Sequence, residues 1–212
     1  MIHPDPVRDA KSKAYFHRNI RAVLPVALLC LVLTWFATET ATEFAINVVV
    51  VGGAGVVIVW TFFEYFFHRF VLHRELTLDP DRPADPDHLA KIFSAHLHHH
   101  VFMNQRHRIA LPLWLYGLVG SPLAALTSLI LPAPTRWAGI AGVMVGSLAY
   151  DATHLAFHFD DDFPQFIRQS SWFISMKNAH MRHHFRDNAT EFGVTSPMWD
   201  HALGTKPRVK GA

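Results

Sequence analysis

Ten histidines in four tight clusters are the residues of this chain best suited to chemistry: His68 and His73; His96, His99 and His100; His154 and His158; His180, His183 and His184. Imidazole is the commonest protein ligand for metal ions, and ten imidazoles exceed the ligand set of one ion, so the pattern predicts two metals. At about 100° per residue, helix positions i, i+3 and i+4 share a face. His96, His99 and His100 therefore converge if 91–100 is helical, His180, His183 and His184 repeat the arrangement, and His154 and His158 form an i, i+4 pair. His68 and His73 are five apart, which a straight α-helix splays by roughly 140°, so the helix is expected to end or bend between them. Closely packed imidazoles repel unless they are neutral or bound to a cation, and a metal supplies the cation. One HxxHH motif arises easily by chance; two, joined by two further pairs at the ends of apolar runs, do not.

The remaining histidines fit simpler roles. His98 points away from the His96/His99/His100 face, and His3, His17, His88 and His107 stand in polar or basic surroundings and are expected to be solvated. His201 lines a substrate entrance or has a structural role. Ligating imidazoles need a partner on the other ring nitrogen, and three carboxylates are placed to supply one: Glu64, four residues before His68; Asp151, three before His154; and Asp200, after the last cluster. A buried carboxylate is expensive without a partner; a structural hydrogen bond near the membrane interface is the alternative for Glu64 and Asp151.

The elements that must position these side chains are apolar. Half of the 212 residues are hydrophobic and 17% are charged, against about 25% in ordinary soluble domains. A net charge of +2 with no basic helix predicts no nucleic-acid partner. The single cysteine, Cys30, excludes an internal disulfide and CxxC-type zinc sites, and reads as a small core or lipid-facing residue. The runs Ile20–Phe36, Phe44–Phe63, Ile109–Leu131 and Trp137–Tyr150, the last continuing toward His158, are long enough to predict membrane-crossing helices. Short turns at 37–43 and 132–136 join them into two hairpins. Ile20–Phe36 is not read as a signal peptide, because 37–43 offers a poor cleavage site.

Arg8, Lys11, Lys13, Arg18 and Arg21 precede the first span, Arg69 and Arg74 follow the second, Arg106 and Arg108 precede the third, and Arg168, Lys177, Arg182 and Arg186 follow the fourth, whereas the opposite turns carry only Arg136. The basic side is expected to be cytoplasmic, and all ten clustered histidines fall on it. The expected fold is all-α and integral to the membrane: four transmembrane helices in two hairpins with a cytoplasmic helical cap holding a dimetal site. The expected organisation is a cytoplasmic segment at 1–19, a membrane domain at 20–206 and a tail at 207–212. The segment 76–89 reads as a Pro- and Asp-rich loop, 91–102 as a helix, and 162–172 as an amphipathic helix, either lying on the membrane through Phe163, Phe166, Ile167 and Trp172 or packing in the ordinary way.

Several segments together resemble the fatty acid hydroxylase superfamily of histidine-rich membrane dimetal enzymes, most of all the fatty acid and sphingolipid 2-hydroxylases. Residues 64–73 (EYFFHRFVLH) match that family's EYxxHRFxxH, 96–100 (HLHHH) its HxxHH, 150–158 (YDATHLAFH) its YDxTHxxxH, 180–185 (HMRHHF) its HxxHHF, and 192–205 (FGVTSPMWDHALGT) its FGVxxxxWDxxxGT. The resemblance spans about residues 44–206. HxxHH alone also fits sterol oxidases and desaturases; HRFxxH, YDxTH and the WD ending are more specific. The chain departs from the family at 101–105, where HHxxPMD would continue, and at Phe159, where a doubled histidine is frequent. Both departures lie where acyl-chain or headgroup contacts are expected, and neither removes one of the ten aligned histidines.

The resemblance implies a lipid-chain hydroxylase, an oxidoreductase of the monooxygenase type. It would hold two metal ions, iron by the reaction, on the ten histidines, with zinc as an alternative occupant of the purified protein, and would use dioxygen as co-substrate. The substrate would be a membrane lipid, fatty acid or sphingolipid. With no HPGG haem motif in the chain, a separate electron donor of cytochrome b5 or ferredoxin type is expected. Tyr65, Phe66, Phe67, Phe70, Phe102 and Phe185 wall an acyl path or serve as packing and lipid contacts. The alternatives are a desaturase or sterol-type oxidase on the same core and, from another class, a non-enzymatic membrane zinc-binding or transport protein. Transport would favour ionisable residues along the spans, and here they gather at one edge. Composition favours a bacterial inner membrane; a eukaryotic chain would sit in the endoplasmic reticulum. The sequence specifies no oligomeric state.

Overall fold

Backbone polar groups in an apolar run have to be satisfied within the run once water is excluded, and helix is the outcome throughout. The structure, a computed structural model, describes residues 6–73, 96, 99–100, 109, 113–159 and 163–207. Among these there is no strand. The elements are α1 (Pro6–Ala37), α2 (Ala41–Leu72), α3 (Leu113–Ile130), α4 (Ala133–His158), α5 (Gln165–Arg168), α6 (Ser171–Phe185) and α7 (Met198–Ala202). Four stretches are long and apolar enough to cross a membrane: Phe16–Ala37 within α1, and all of α2, α3 and α4. The protein is an all-α, multi-pass membrane protein. The expected loop at 76–89, His3, His88, His98, His107, Phe102, most of the expected helix at 91–102 and the end of the tail lie outside the described residues.

α1, α2 and α4 run further than their apolar cores. The expected segment boundary at residue 19 falls inside α1, which begins at Pro6. α2 starts at Ala41 because Thr40 caps it: its hydroxyl accepts from the Glu43 N–H at 3.1 Å while the Glu43 carboxylate accepts from the Glu39 N–H at 2.9 Å. α2 also contains π-type turns at Asn47–Gly52, Gly55–Trp60 and His68–Leu72.

The chain divides into two compact units. One comprises Lys13–Trp60 and Ala110–Asp151, and so most of the membrane-crossing helix. Its core follows a stripe on α1, Asn19, Val23, Ala27, Cys30 and Thr34, all buried at helical spacing. Cys30 packs with Ile140 and Ala141 of α4; it is a core residue, not a lipid-facing one. Leu28, Leu29, Val32 and Phe36 on the other side are exposed, as a lipid-facing surface requires. α2 and α4 meet backbone to backbone. A Cβ on Gly142 would lie 2.1 Å from the Gly52 carbonyl oxygen, and one on Gly55 would lie 2.8 Å from that of Gly139. Small residues at such crossings are how helices gain contact in lipid, where hydrophobic burial gives no drive. Asn19 donates to Asp151 at 2.7 Å, and the Tyr116 hydroxyl donates to the same carboxylate oxygen, tying α1, α3 and α4 together.

The other unit comprises Met1–Ser12, Thr61–Ile109 and Ala152–Ala212. The expected amphipathic helix over 162–172 is instead the single-turn α5 followed by the start of α6. Ser170 separates them: its extended backbone leaves the helix and its hydroxyl caps α6 by accepting from the Phe173 N–H at 3.2 Å. Phe166 and Trp172 remain exposed, while Phe163 and Ile167 are half-buried. α6 buries Phe173, Met176, Ala179, His180 and His183 along one face, and Phe173 meets Phe157 of α4 edge-on.

Candidate metal centre

All ten clustered histidines belong to the second of these units. His68 and His73 come from the last turn of α2, His154 and His158 from the end of α4, and His180, His183 and His184 from α6, while His96, His99 and His100 are helical residues between them. α2 ends at Leu72, between His68 and His73 as expected, and His73 is its C-cap. The His73 N–H donates to the His68 carbonyl at 3.1 Å, an i→i+5 bond that widens the turn. The two side chains then converge rather than diverge, and their Nε2 atoms lie 3.2 Å apart.

The histidines form two groups of five: His68, His73, His96, His100 and His183; and His99, His154, His158, His180 and His184. The sequence clusters are split between them. His96 and His100 face one group and His99 the other; His183 faces one, His180 and His184 the other. The rings of His100 and His184 stack at 4.1 Å where the groups adjoin. In the first group Nε2–Nε2 distances are 2.9 Å for His68–His96, 3.1 Å for His96–His73, 3.1 Å for His100–His96 and 3.1 Å for His183–His73. In the second they are 3.1 Å for His99–His154, 2.9 Å for His158–His180 and 3.0 Å for His184–His180.

This convergence fits a metal. A nitrogen that meets several others can share a proton with only one of them. Two nitrogens each about 2.1 Å from a common ion, and at right angles, stand about 3.0 Å apart, which is the spacing found. Protonation is disfavoured as well. Burial first, then repulsion from neighbouring imidazoles, holds His73, His96, His99, His180 and His184 well below the ordinary histidine value. The same causes bring His100 to about 3, and burial brings His183 to about 4 against the opposing pull of the Thr190 carbonyl and Asp187. Neutral imidazole is the ligating form, and an all-imidazole set suits iron or zinc.

Two of the rings, His68 and His183, are oriented by backbone carbonyls. His68 Nδ1 donates to the Phe192 carbonyl at 2.5 Å and His183 Nδ1 to the Thr190 carbonyl at 2.6 Å, which leaves each Nε2 as the free acceptor. Glu64 accepts from the N–H of Val194 at 2.5 Å, from that of Thr195 at 2.8 Å and from the Thr195 hydroxyl. Asp200 accepts from the N–H groups of Phe192 and Gly193, at 2.9 and 2.8 Å, and from the Thr205 hydroxyl at 2.7 Å. Both therefore hold the strap formed by residues 187–205. Asp151 is bonded to Asn19 and Tyr116. Gly193 is required where it stands, since a Cβ would lie 2.1 Å from the Ser196 carbonyl oxygen.

The fatty acid hydroxylase family model matches residues 53–205, which include all ten clustered histidines and the whole strap. The chain belongs to the fatty acid hydroxylase family. It is 31% identical over 147 residues to the ceramide very long chain fatty acid hydroxylase of Schizosaccharomyces pombe, covering 69% of this chain and 40% of that one. It is 30% identical over 189 residues to a dihydroceramide fatty acyl 2-hydroxylase of Arabidopsis thaliana, covering 89% and 72%. Among solved structures, full-length scs7p, of which only the hydroxylase domain is visible, matches with a TM-score of 0.71 and 28% identity over 92% of this chain and 68% of that one. The chain spans 40% and 36% of the length of the two yeast relatives it matches.

Within this family member, sequence reasoning missed the partners that build the strap. Arg69 donates to the Tyr65 hydroxyl at 2.7 Å, which is 2.9 Å from the Thr205 hydroxyl, itself bonded to Asp200. Tyr65 is fully buried and holds the strap; it does not line an open path. Arg182 forks onto Glu191 at 2.9 and 2.5 Å. The EYxxHR segment signals this role: Glu64, Tyr65, His68 and Arg69 all serve the strap or its links. Phe66, Phe70 and Phe185 are exposed and Phe67 is half-buried. His17 and His201 are exposed, and the latter lies 2.8 Å from the Lys206 ammonium, which donates to it.

Proposed function

We propose that this protein hydroxylates a lipid acyl chain, at the 2-position of a fatty acid or sphingolipid, with dioxygen as oxidant and two irons held by the two histidine groups. The observation that carries this reading is the pair of five-imidazole groups with converging Nε2 atoms, largely buried, in a chain of the fatty acid hydroxylase family. The names of the relatives support acyl 2-hydroxylation rather than desaturation, sterol oxidation or zinc transport.

His68, His73, His96, His100 and His183 would hold one ion, and His99, His154, His158, His180 and His184 the other. Bound there, iron would supply the reductive activation of dioxygen that exchanges a C–H hydrogen for hydroxyl; redox-silent zinc would not. In the balanced reaction one dioxygen, two electrons and two protons convert the C–H bond to C–OH and release one water. The protein keeps the imidazoles neutral, excludes water by burying them, and fixes the tautomers of His68 and His183 through the strap carbonyls. Electrons would come from a donor of cytochrome b5 or ferredoxin type. The basic residues flanking the spans support a cytoplasm-facing site.

The test is lipid mass spectrometry under ¹⁸O₂ in cells expressing the wild type or a His183→Ala, His184→Ala double variant. A lipid class that gains one labelled oxygen only with the wild type is the expected result, and fragmentation locates it at C2. Loss of two hydrogens without label would instead indicate desaturation. No change in any lipid, with folded protein and a supplied donor, would refute the reading.

A further inference from the structure

The ten imidazoles are not held alike. In the group of His68, His73, His96, His100 and His183, two rings are fixed from behind by the carbonyls of Phe192 and Thr190. These carbonyls flank Glu191, whose backbone is left-handed with φ 57°. The strap that carries them is anchored at several points. Glu64 takes the N–H groups of Val194 and Thr195, Asp200 takes those of Phe192 and Gly193, and the Glu191 N–H donates to the Thr205 carbonyl at 3.0 Å. In the other group, the Nδ1 atoms of His99, His180 and His184 are buried with no hydrogen-bond partner; in the first group this holds for His73.

A ligand imidazole whose second nitrogen donates to a carbonyl is locked in tautomer and orientation and is a better base toward the ion, whereas a ring lacking that bond has to be ordered by the metal itself. Resting on the dimetal reading above, we propose that the strap makes the two metal positions unequal. The His68/His183 group binds its ion more tightly. Glu64 and Asp200 are positioning residues that serve this position alone, acting through the Phe192 and Thr190 carbonyls. Among the described residues, the Nδ1 atoms of His99, His180 and His184 make no such bond to the strap, so loosening it leaves the weaker position as it was.

The experiment uses the full chain in detergent, loaded anaerobically with ferrous iron and titrated against a chelator, with metal per chain read by mass spectrometry after each step. The wild type is expected to release one ion per chain first and the second only at free iron at least about tenfold lower. Glu64→Gln should weaken the tighter step by about 10- to 100-fold, merging it with the other, while the first step stays put. Asp200→Asn should do the same. Thr195→Val removes one strap contact and keeps the two backbone bonds to Glu64; it should shift the tighter step in the same direction by less, and serves if the carboxylate variants do not fold. Two ions leaving the wild type in a single step would overturn the inequality of the positions. So would a Glu64→Gln or Thr195→Val protein in which the weaker step moves. A wild type that binds no iron at all would overturn the dimetal reading together with the inference, and is distinguishable from both.

Discussion

Glu191 offers a test of the strap's geometry that does not depend on metal. Among the described residues it is the one non-glycine with positive φ, at 57°, and it sits between the two carbonyls that orient His183 and His68. Its carboxylate is buried and receives the fork of Arg182. Replacing it with alanine or with glycine deletes the same carboxylate, so the lost ion pair cancels when the two variants are compared. What remains is backbone. A left-handed conformation costs an L-residue about 1–2 kcal/mol, which glycine does not bear. Glycine's extra freedom in the unfolded chain returns about 0.4–1 kcal/mol of that gain. Glu191→Gly should therefore be more stable than Glu191→Ala by roughly 0.8 kcal/mol, or about 2–3 °C in the thermal midpoint of a chain this size. Both should melt below the wild type.

The assay is thermal unfolding of the purified variants in one detergent, followed by helical circular dichroism. The same gap should appear in an Arg182→Ala background, because the term that distinguishes the variants does not involve the guanidinium. An alanine variant as stable as the glycine variant would refute the reasoning. A gap that vanishes without Arg182 would assign the difference to the ion pair instead.

Two further outcomes follow from the packing and from the burial of the imidazoles. Gly142→Ala places a Cβ 2.1 Å from the Gly52 carbonyl oxygen and forces α2 and α4 apart, at a cost on the order of 1–3 kcal/mol; Gly53→Ala, with nothing within 4 Å, is the control, and equal melting of the two would show that the glycine crossing is not what joins these helices. The metal-free protein should lose stability on acidification: folded His100 and His183 stay neutral down to about 3 and about 4, while the unfolded chain takes up protons below the ordinary value of 6.5. The contribution of each ring is thus full above 6.5 and lost as pH falls toward its folded value, by up to about 1.4 kcal/mol per pH unit. A thermal midpoint that is flat between about pH 7 and pH 5 would contradict it.

The histidine spacing and the apolar runs announce a membrane protein with two histidine groups, because both signals live in side-chain type and period. What stays hidden is whatever the backbone decides. The five-residue gap between His68 and His73 splays the two rings only if every turn closes i→i+4; a single i→i+5 bond removes the conflict, and no side-chain pattern encodes that choice. The split of each HxxHH motif between two groups is hidden for a related reason: a shared helix face is wide enough to serve two ions, and spacing alone does not say where they lie. The carboxylates show the limit most clearly. Glu64 lies one turn from His68, and sequence spacing alone pairs them. The buried N–H groups of Val194 and Thr195 need an acceptor just as much, and they have Glu64. His68 and His183 are left to carbonyls, which every residue possesses and no sequence position advertises. The trace that does survive in sequence is indirect: Gly193, Asp200 and Thr205 stand where the strap requires them, so the FGV and WD ending identifies the site through the loop that holds it, not through any atom that touches an ion.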